Sequence, residues 1–145
     1  MSAAGQFVYA PEAVRALDQA AIREFGIPGH ELMRRAGEAA FAHARARYPG
    51  ARRWLVLAGA GNNAGDGYVI ARLAREAGLD VRVAALGDPH RLGGDAAQAC
   101  QAWLQQAGGV VQFSAGLLDE ADLVVDALLG TGLQRPLEGA WLYAV

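Results

Sequence analysis

The chain has 145 residues, 53% of them hydrophobic and 19% charged, with a formal net charge of −2. That suits one apolar-cored domain and gives nucleic acid no basic footprint as a partner. All 13 residues in the Lys+Arg count are arginines and Cys100 is the single cysteine, which excludes a lysine-dependent phosphate loop, Schiff-base chemistry, an intrachain disulfide and a cysteine-based zinc site.

Residues 1 to 8 read as a loosely held arm. Pro11 suits the first turn of a helix whose apolar face carries Val14, Leu17, Ala21 and Ile22. The run Gly26-Ile27-Pro28-Gly29 breaks it. A longer helix is expected from His30 to Tyr48, with Leu32, Ala36, Ala39, Ala40 and His43 along one side and Arg34, Arg35, Glu38, Arg45 and Arg47 as a solvated face; Pro49-Gly50 ends it. Trp54 to Ala58 is an unbroken apolar run of the kind found in a parallel sheet buried on both faces. The helix after it places Val69, Ile70, Leu73, Ala74 and Ala77 on one face and stops at Gly78.

Val81 to Leu86 gives a second strand, and Gly87-Asp88-Pro89-His90 a loop at its carboxyl end. Asp88 stands where some dinucleotide enzymes grip a ribose, although a turn-forming role before proline is the simpler reading. Gly93 or Gly94 opens a further helix that turns Ala97, Cys100, Trp103 and Leu104 inward, which makes Cys100 a core thiol. Val110 to Phe113 and Asp122 to Leu128 complete the strands. The alternation implies a three-layer α/β/α, Rossmann-like, mostly parallel sheet within one domain spanning residues 1–145. No apolar run is long enough to span a bilayer, and the N-terminus lacks the pattern of a signal peptide. The expectation is a cytoplasmic protein with no membrane partner.

Chemistry concentrates in Gly59-Ala60-Gly61-Asn62-Asn63-Ala64-Gly65-Asp66-Gly67. A strand, a glycine-rich loop and a helix start admit a ligand close to the backbone and attract anions with free N–H groups. Gly59-x-Gly61-x-x-Ala64 fits a dinucleotide fingerprint, but a charge on Asp66 at the helix entrance would repel a pyrophosphate there, which argues against an ordinary dehydrogenase. Taken singly, Asp66 also reads as a helix cap. A second loop, Gly130 to Pro136, follows an apolar strand that ends in Asp126. Right-handed crossovers bring both loops to one crevice. Asp126 is expected to be a buried acid there, and its oxygen with that of Asn63 suits a hard cation better than a transition metal.

Gly-x-Gly-Asn-Asn-x-Gly-Asp-Gly, followed by Val125-Asp126-Ala127-Leu128-Leu129-Gly130-Thr131-Gly132-Leu133, resembles the YjeF N-terminal domain family of NAD(P)H-hydrate epimerases. Upstream, Leu17-Asp18, Gly26-Ile27-Pro28 and Leu32-Met33-Arg34-Arg35-Ala36-Gly37 extend the resemblance over nearly the whole chain. It implies that Asn63 and Asp126 bind a potassium ion. It further implies that Asn62, Asn63, Ala64, Gly65 and Asp66, with Gly130, Thr131, Gly132, Leu133, Gln134, Arg135 and Pro136, contact the hydrated nicotinamide nucleotide. The implied reaction inverts C6 of the damaged ring of NAD(P)H hydrate (NAD(P)HX), interconverting its R and S forms so that a separate dehydratase restores the cofactor. Asp66 and Asp126, the acids of the two motifs, are the catalytic candidates. A non-catalytic nucleotide-binding or protein-interaction module of the same fold is the alternative.

Members of the family continue into an Asp-x-Pro-Ser-Gly motif that is absent here, so a sheet incomplete at the C-terminus and a portion of a longer protein are expected. The alanine-rich second helix and the apolar face of the first point to a homodimer, as does the resemblance.

Overall fold

The computed structural model describes residues 8–106, 108–131, 133 and 136–145. Helices α1 (Pro11–Arg23) and α2 (Gly29–Arg47) precede strand β1 (Arg53–Ala58). There follow α3 (Asn62–Glu76), β2 (Asp80–Ala85), α4 (Gly94–Gln105), β3 (Val110–Gln112), the single-turn α5 (Gly116–Asp119), β4 (Leu123–Ala127) and α6 (Ala140–Ala144). The strands and the four longer helices fall within a residue or two of the boundaries that hydrophobic runs and glycine stops dictate.

The four strands lie in the order β3-β2-β1-β4, and every pair is parallel. The chain steps outward from β1 through β2 to β3, then returns to β4 on the other side of β1. The reversal falls between β1 and β4, at whose carboxyl ends an open α/β sheet opens a crevice. The Gly59 N–H extends the β1–β4 ladder by donating to the Ala127 carbonyl at 3.0 Å. At the opposite end, Asp122 accepts from the backbone N–H groups of Arg52 and Arg53 and pairs with the Arg53 guanidinium at 2.6 Å. These bonds hold its carboxyl far below the ordinary carboxylate range.

Both faces of the sheet are covered. On one face Val56, Ala58 and Val83 pack with Tyr68 and Ala71 of α3 and Ala96, Cys100 and Trp103 of α4. Trp54 joins Ile70, Ala74 and Phe41 beneath α2. On the other face Leu55, Leu57, Ala84, Leu86 and Leu128 meet Phe113, Leu117, Trp141 and Ala144. Cys100 is buried, and that burial raises its thiol above its usual proton affinity, so it is the expected core thiol.

Four expectations are corrected. The stripe Ala36, Ala39, Ala40 and His43 is exposed; α2 turns Gly37 inward instead. A Cβ on Gly37 would lie 2.4 Å from Val69 Cγ1, so glycine sets how closely α2 approaches α3. Leu104 is exposed, whereas Cys100 and Trp103 do turn inward. Helix α3 starts at Asn62 with Gly61 as its cap, so Asp66 sits a full turn inside the helix and neither caps it nor crowds its entrance. Asp126 is exposed on β4, not buried, because β4 is an edge strand of the sheet and its residues alternate between half-buried and exposed up to Ala127.

Candidate functional site

Local sequence forces the two motif loops together. A Cβ on Gly59 would sit 1.9 Å from the Leu128 carbonyl oxygen, and one on Gly67 would sit 2.6 Å from Ala127 Cβ. Without side chains at both, β1 and the start of α3 close on the end of β4. The Asn63 amide then donates from Nδ2 to the Leu129 carbonyl at 3.0 Å, tying helix to loop. One residue earlier, the Leu128 N–H donates to Asp126 Oδ1 at 3.0 Å.

Between these loops and α1 lies a cavity of about 910 Å³. Gly61, Asn62, Asn63 and Asp66 form its α3 side, Gly130, Thr131, Leu133 and Pro136 its second-loop side, and Arg15 and Asp18 its α1 side. Among the described residues no side chain caps α3, and Gly61, Asn62 and Asn63 at its start line this space, so the positive end of the helix favours a negative ligand group there. On the α1 side, Arg15 pairs with Glu12 through Nη2 at 3.1 Å and reaches the second loop through Nη1. Arg15 Nη1 donates to Thr131 Oγ1 at 2.8 Å, across 116 residues of sequence.

Asp66 is half-buried in the wall and has no hydrogen-bond or ion-pair partner among the described residues. Burial first, then the nearby charge of Asp18, pushes its carboxyl up to about 6. It therefore exchanges a proton close to neutral pH, as a general acid or base must. Asp126 does not line the cavity, and its Oδ1 holds the Leu128 N–H. Of the two acids singled out in sequence, the geometry brings only Asp66 to the cavity.

The other expected contacts divide in the same way. Asn62, Asn63, Asp66, Gly130, Thr131, Leu133 and Pro136 share the cavity. Ala64 and Gly65 do not line it: both are buried, the Ala64 N–H donates to Gly61 O at 3.0 Å, and Gly65 packs against Met33 and Ala96. Gly132, Gln134 and Arg135 lie outside the described residues. Asp88 accepts the His90 N–H at 2.9 Å and caps a short turn, the simpler of its two expected roles. Arg15, Trp141 and Glu138 line the cavity without having been singled out, and Asp18 was noted only as part of an upstream dipeptide. The i, i+3 spacing of Arg15 and Asp18 sets them on one helix face, but which element that face meets is a property of the tertiary fold.

A family model described as YjeF-related protein N-terminus matches residues 29–145. The chain belongs to this family. Among YjeF-related relatives, it is 45% identical over 128 residues to the bifunctional NAD(P)H-hydrate repair enzyme Nnr of Escherichia coli, covering 88% of this chain and 25% of that protein. It is 47% identical over 131 residues to the NAD(P)H-hydrate epimerase of Bordetella pertussis, covering 90% of this chain and 54% of that one. The chain thus spans about a quarter of the bifunctional relative and about half of the epimerase. The crystal structure of yeast ynu0 superposes with a TM-score of 0.81 at 21% identity over 97% of this chain and 63% of that one, which supports the fold.

Proposed function

We propose that this domain interconverts the R and S forms of NAD(P)H hydrate, the reaction class named by its epimerase relatives. The observation that carries the reading is Asp66: a half-buried acid, held protonated to near neutral pH, in a cavity that also presents an uncapped helix start. Inversion at C6 of the hydrated ring requires its C6–O bond to break and reform on the other face. Protonated Asp66 gives its proton to the departing hydroxyl while the ring nitrogen lone pair fills in toward C6. Water then adds from the opposite face and releases a proton to solvent, from which the Asp66 carboxylate is reprotonated, so water and proton balance. The helix start receives a phosphate of the nucleotide, with Arg15 and Thr131 beside it.

Two oxygens suit potassium. Asn63 Oδ1 keeps its acceptor capacity while Nδ2 holds Leu129, and Asp126 Oδ2 has no partner among the described residues while Oδ1 holds Leu128. Both side chains are thereby fixed by consecutive residues of one loop, Leu128 and Leu129. Potassium bound there supplies positive charge and rigidity to the crevice, so in this reading Asp126 serves the ion and not the proton. Potassium should raise the melting temperature above that in lithium at matched ionic strength; equal melting in both salts removes the ion.

The functional test adds the protein to mixed hydrate epimers together with an S-specific dehydratase. Loss of the R form should accelerate, and Asp66→Asn should abolish the acceleration. No acceleration with wild-type protein refutes the epimerase reading. A nucleotide-binding or interaction module is the reading that then stands. The exposed side chains of Val14, Leu17 and Ile22 on α1 favour an interaction surface in either case, covered in our reading by a second copy in a homodimer. A monomer boundary in sedimentation that stays fixed as concentration rises excludes the dimer. No helix among the described residues is long and apolar enough to cross a membrane. We place the protein in the cytoplasm, working beside a dehydratase.

A further inference from the structure

A second cavity, of about 420 Å³, opens at the carboxyl ends of β2 and β3. Leu86, Gly87, Val111, Gln112, Phe113 and Trp141 are among its walls. Two features join it to the cavity at α3. Trp141 lines both. Gly87, in the second cavity, lies against Ala60, in the first: a Cβ built on Gly87 would stand 3.9 Å from Ala60 Cβ. Gly87 has φ +118°, a conformation that suits glycine, so the turn that brings the two loops side by side is built into the chain.

We propose that this second cavity is the subsite for the purine nucleoside half of the dinucleotide, with the nicotinamide half in the cavity at α3. This rests on the epimerase reading for the identity of the ligand. Phe113 and Trp141 offer aromatic surface to a flat base, and Gln112 offers an amide to its edge. A ligand reaching from one cavity to the other crosses the Ala60–Gly87 contact. There the uncapped start of α3, next to Ala60, meets the diphosphate that links the two nucleosides. The polarity of each part of the ligand is matched in order along the sheet edge: reacting ring by Asp66, diphosphate by backbone N–H groups, base by aromatic walls. Asp88 borders the same cavity, with its Oδ1 accepting the His90 N–H.

The test fills the second cavity from an exposed position. Val111 is 45% exposed on β3 and borders the cavity, so Val111→Trp plugs it without disturbing the buried core. Phe113→Ala is the complementary variant, since it removes aromatic surface. Calorimetric titrations with NAD⁺, ADP-ribose and nicotinamide mononucleotide then compare the halves. In both variants NAD⁺ and ADP-ribose should weaken by about ten-fold or more while the mononucleotide stays within about two-fold of wild type. Equal losses for all three ligands, no loss for any, or no binding of NAD⁺ to the wild type overturns the subsite. The epimerase assay on the wild type runs separately. Absent turnover with the selective loss intact sinks the reaction and leaves the two-cavity binding mode standing.

Discussion

Two helices wall the reacting cavity, and they are attached in opposite ways. Helix α3 buries Ala64, Gly65, Gly67, Tyr68, Val69, Ile70, Ala71 and Ala74, and touches strands and helices through glycines that leave no room for a methyl group. Helix α1 buries no residue, yet it delivers Arg15 and Asp18 to the same space. The contrast separates what fixes a site from what tunes it. A close-packed helix holds its groups to fractions of an ångström, whereas a tethered one contributes charge at little cost to the fold. Asp66 belongs to the first kind by position and feels the second by charge.

The most severe way to break this comparison is Gly59→Ala. Its Cβ would meet the Leu128 carbonyl oxygen, a backbone atom that cannot swing aside. We expect a loss of about 3 kcal/mol or more, read as a lowered denaturant midpoint, because overpacking against backbone leaves the loops no relaxed arrangement.

Asp66→Asn comes next and acts with opposite sign on stability and on activity. The folded carboxyl keeps its proton up to about 6 from an ordinary value of 3.8. The native state therefore binds more protons than the unfolded chain between those values, and stability falls as pH rises through that window. The asparagine variant should be flat there, and more stable than wild type at pH 7 by on the order of 2 kcal/mol. Its epimerase rate should fall by about a hundred-fold or more. Parallel pH profiles of stability for wild type and variant would remove Asp66 as the strained group.

Asp18→Asn probes the tuning helix. With the neighbouring charge gone, Asp66 should titrate lower, moving its limb of the rate profile toward acid while the melting temperature barely changes. An unmoved limb would leave burial as the sole cause. Arg15→Ala should have the smallest effect on stability, at or below about 0.5 kcal/mol, since the side chain and its tether are exposed. It should instead weaken nucleotide binding, and the loss should shrink as salt is raised. A large stability loss for Arg15→Ala would mean that α1 is held as firmly as α3.

The glycine loop, its strand and its helix were legible in sequence because their causes are local. Apolar runs make buried strands, and clustered glycines mark a close backbone approach. The meeting of Asn62, Asn63 and Asp66 with Gly130, Thr131, Leu133 and Pro136 was legible too, since parallel topology sends successive loops to one edge. Asp126 was misread as buried. An apolar run signals a strand but carries no information on whether a neighbour covers it, and β4 stands at an edge of this sheet.

Sequence alone determined the fold class, the order of the elements and the two loops of the crevice, because periodicity, turn chemistry and crossover handedness act over a few residues or by general rule. Only the tertiary structure decided which acid faces the cavity, that Arg15 reaches Thr131, and that Trp141 joins two cavities. Those facts depend on where side chains far apart in the chain come to rest and on which surfaces exclude water. The proton affinity of Asp66 shows the reason most directly. It is set by desolvation and by a charge 48 positions away, and neither has a counterpart in the local sequence.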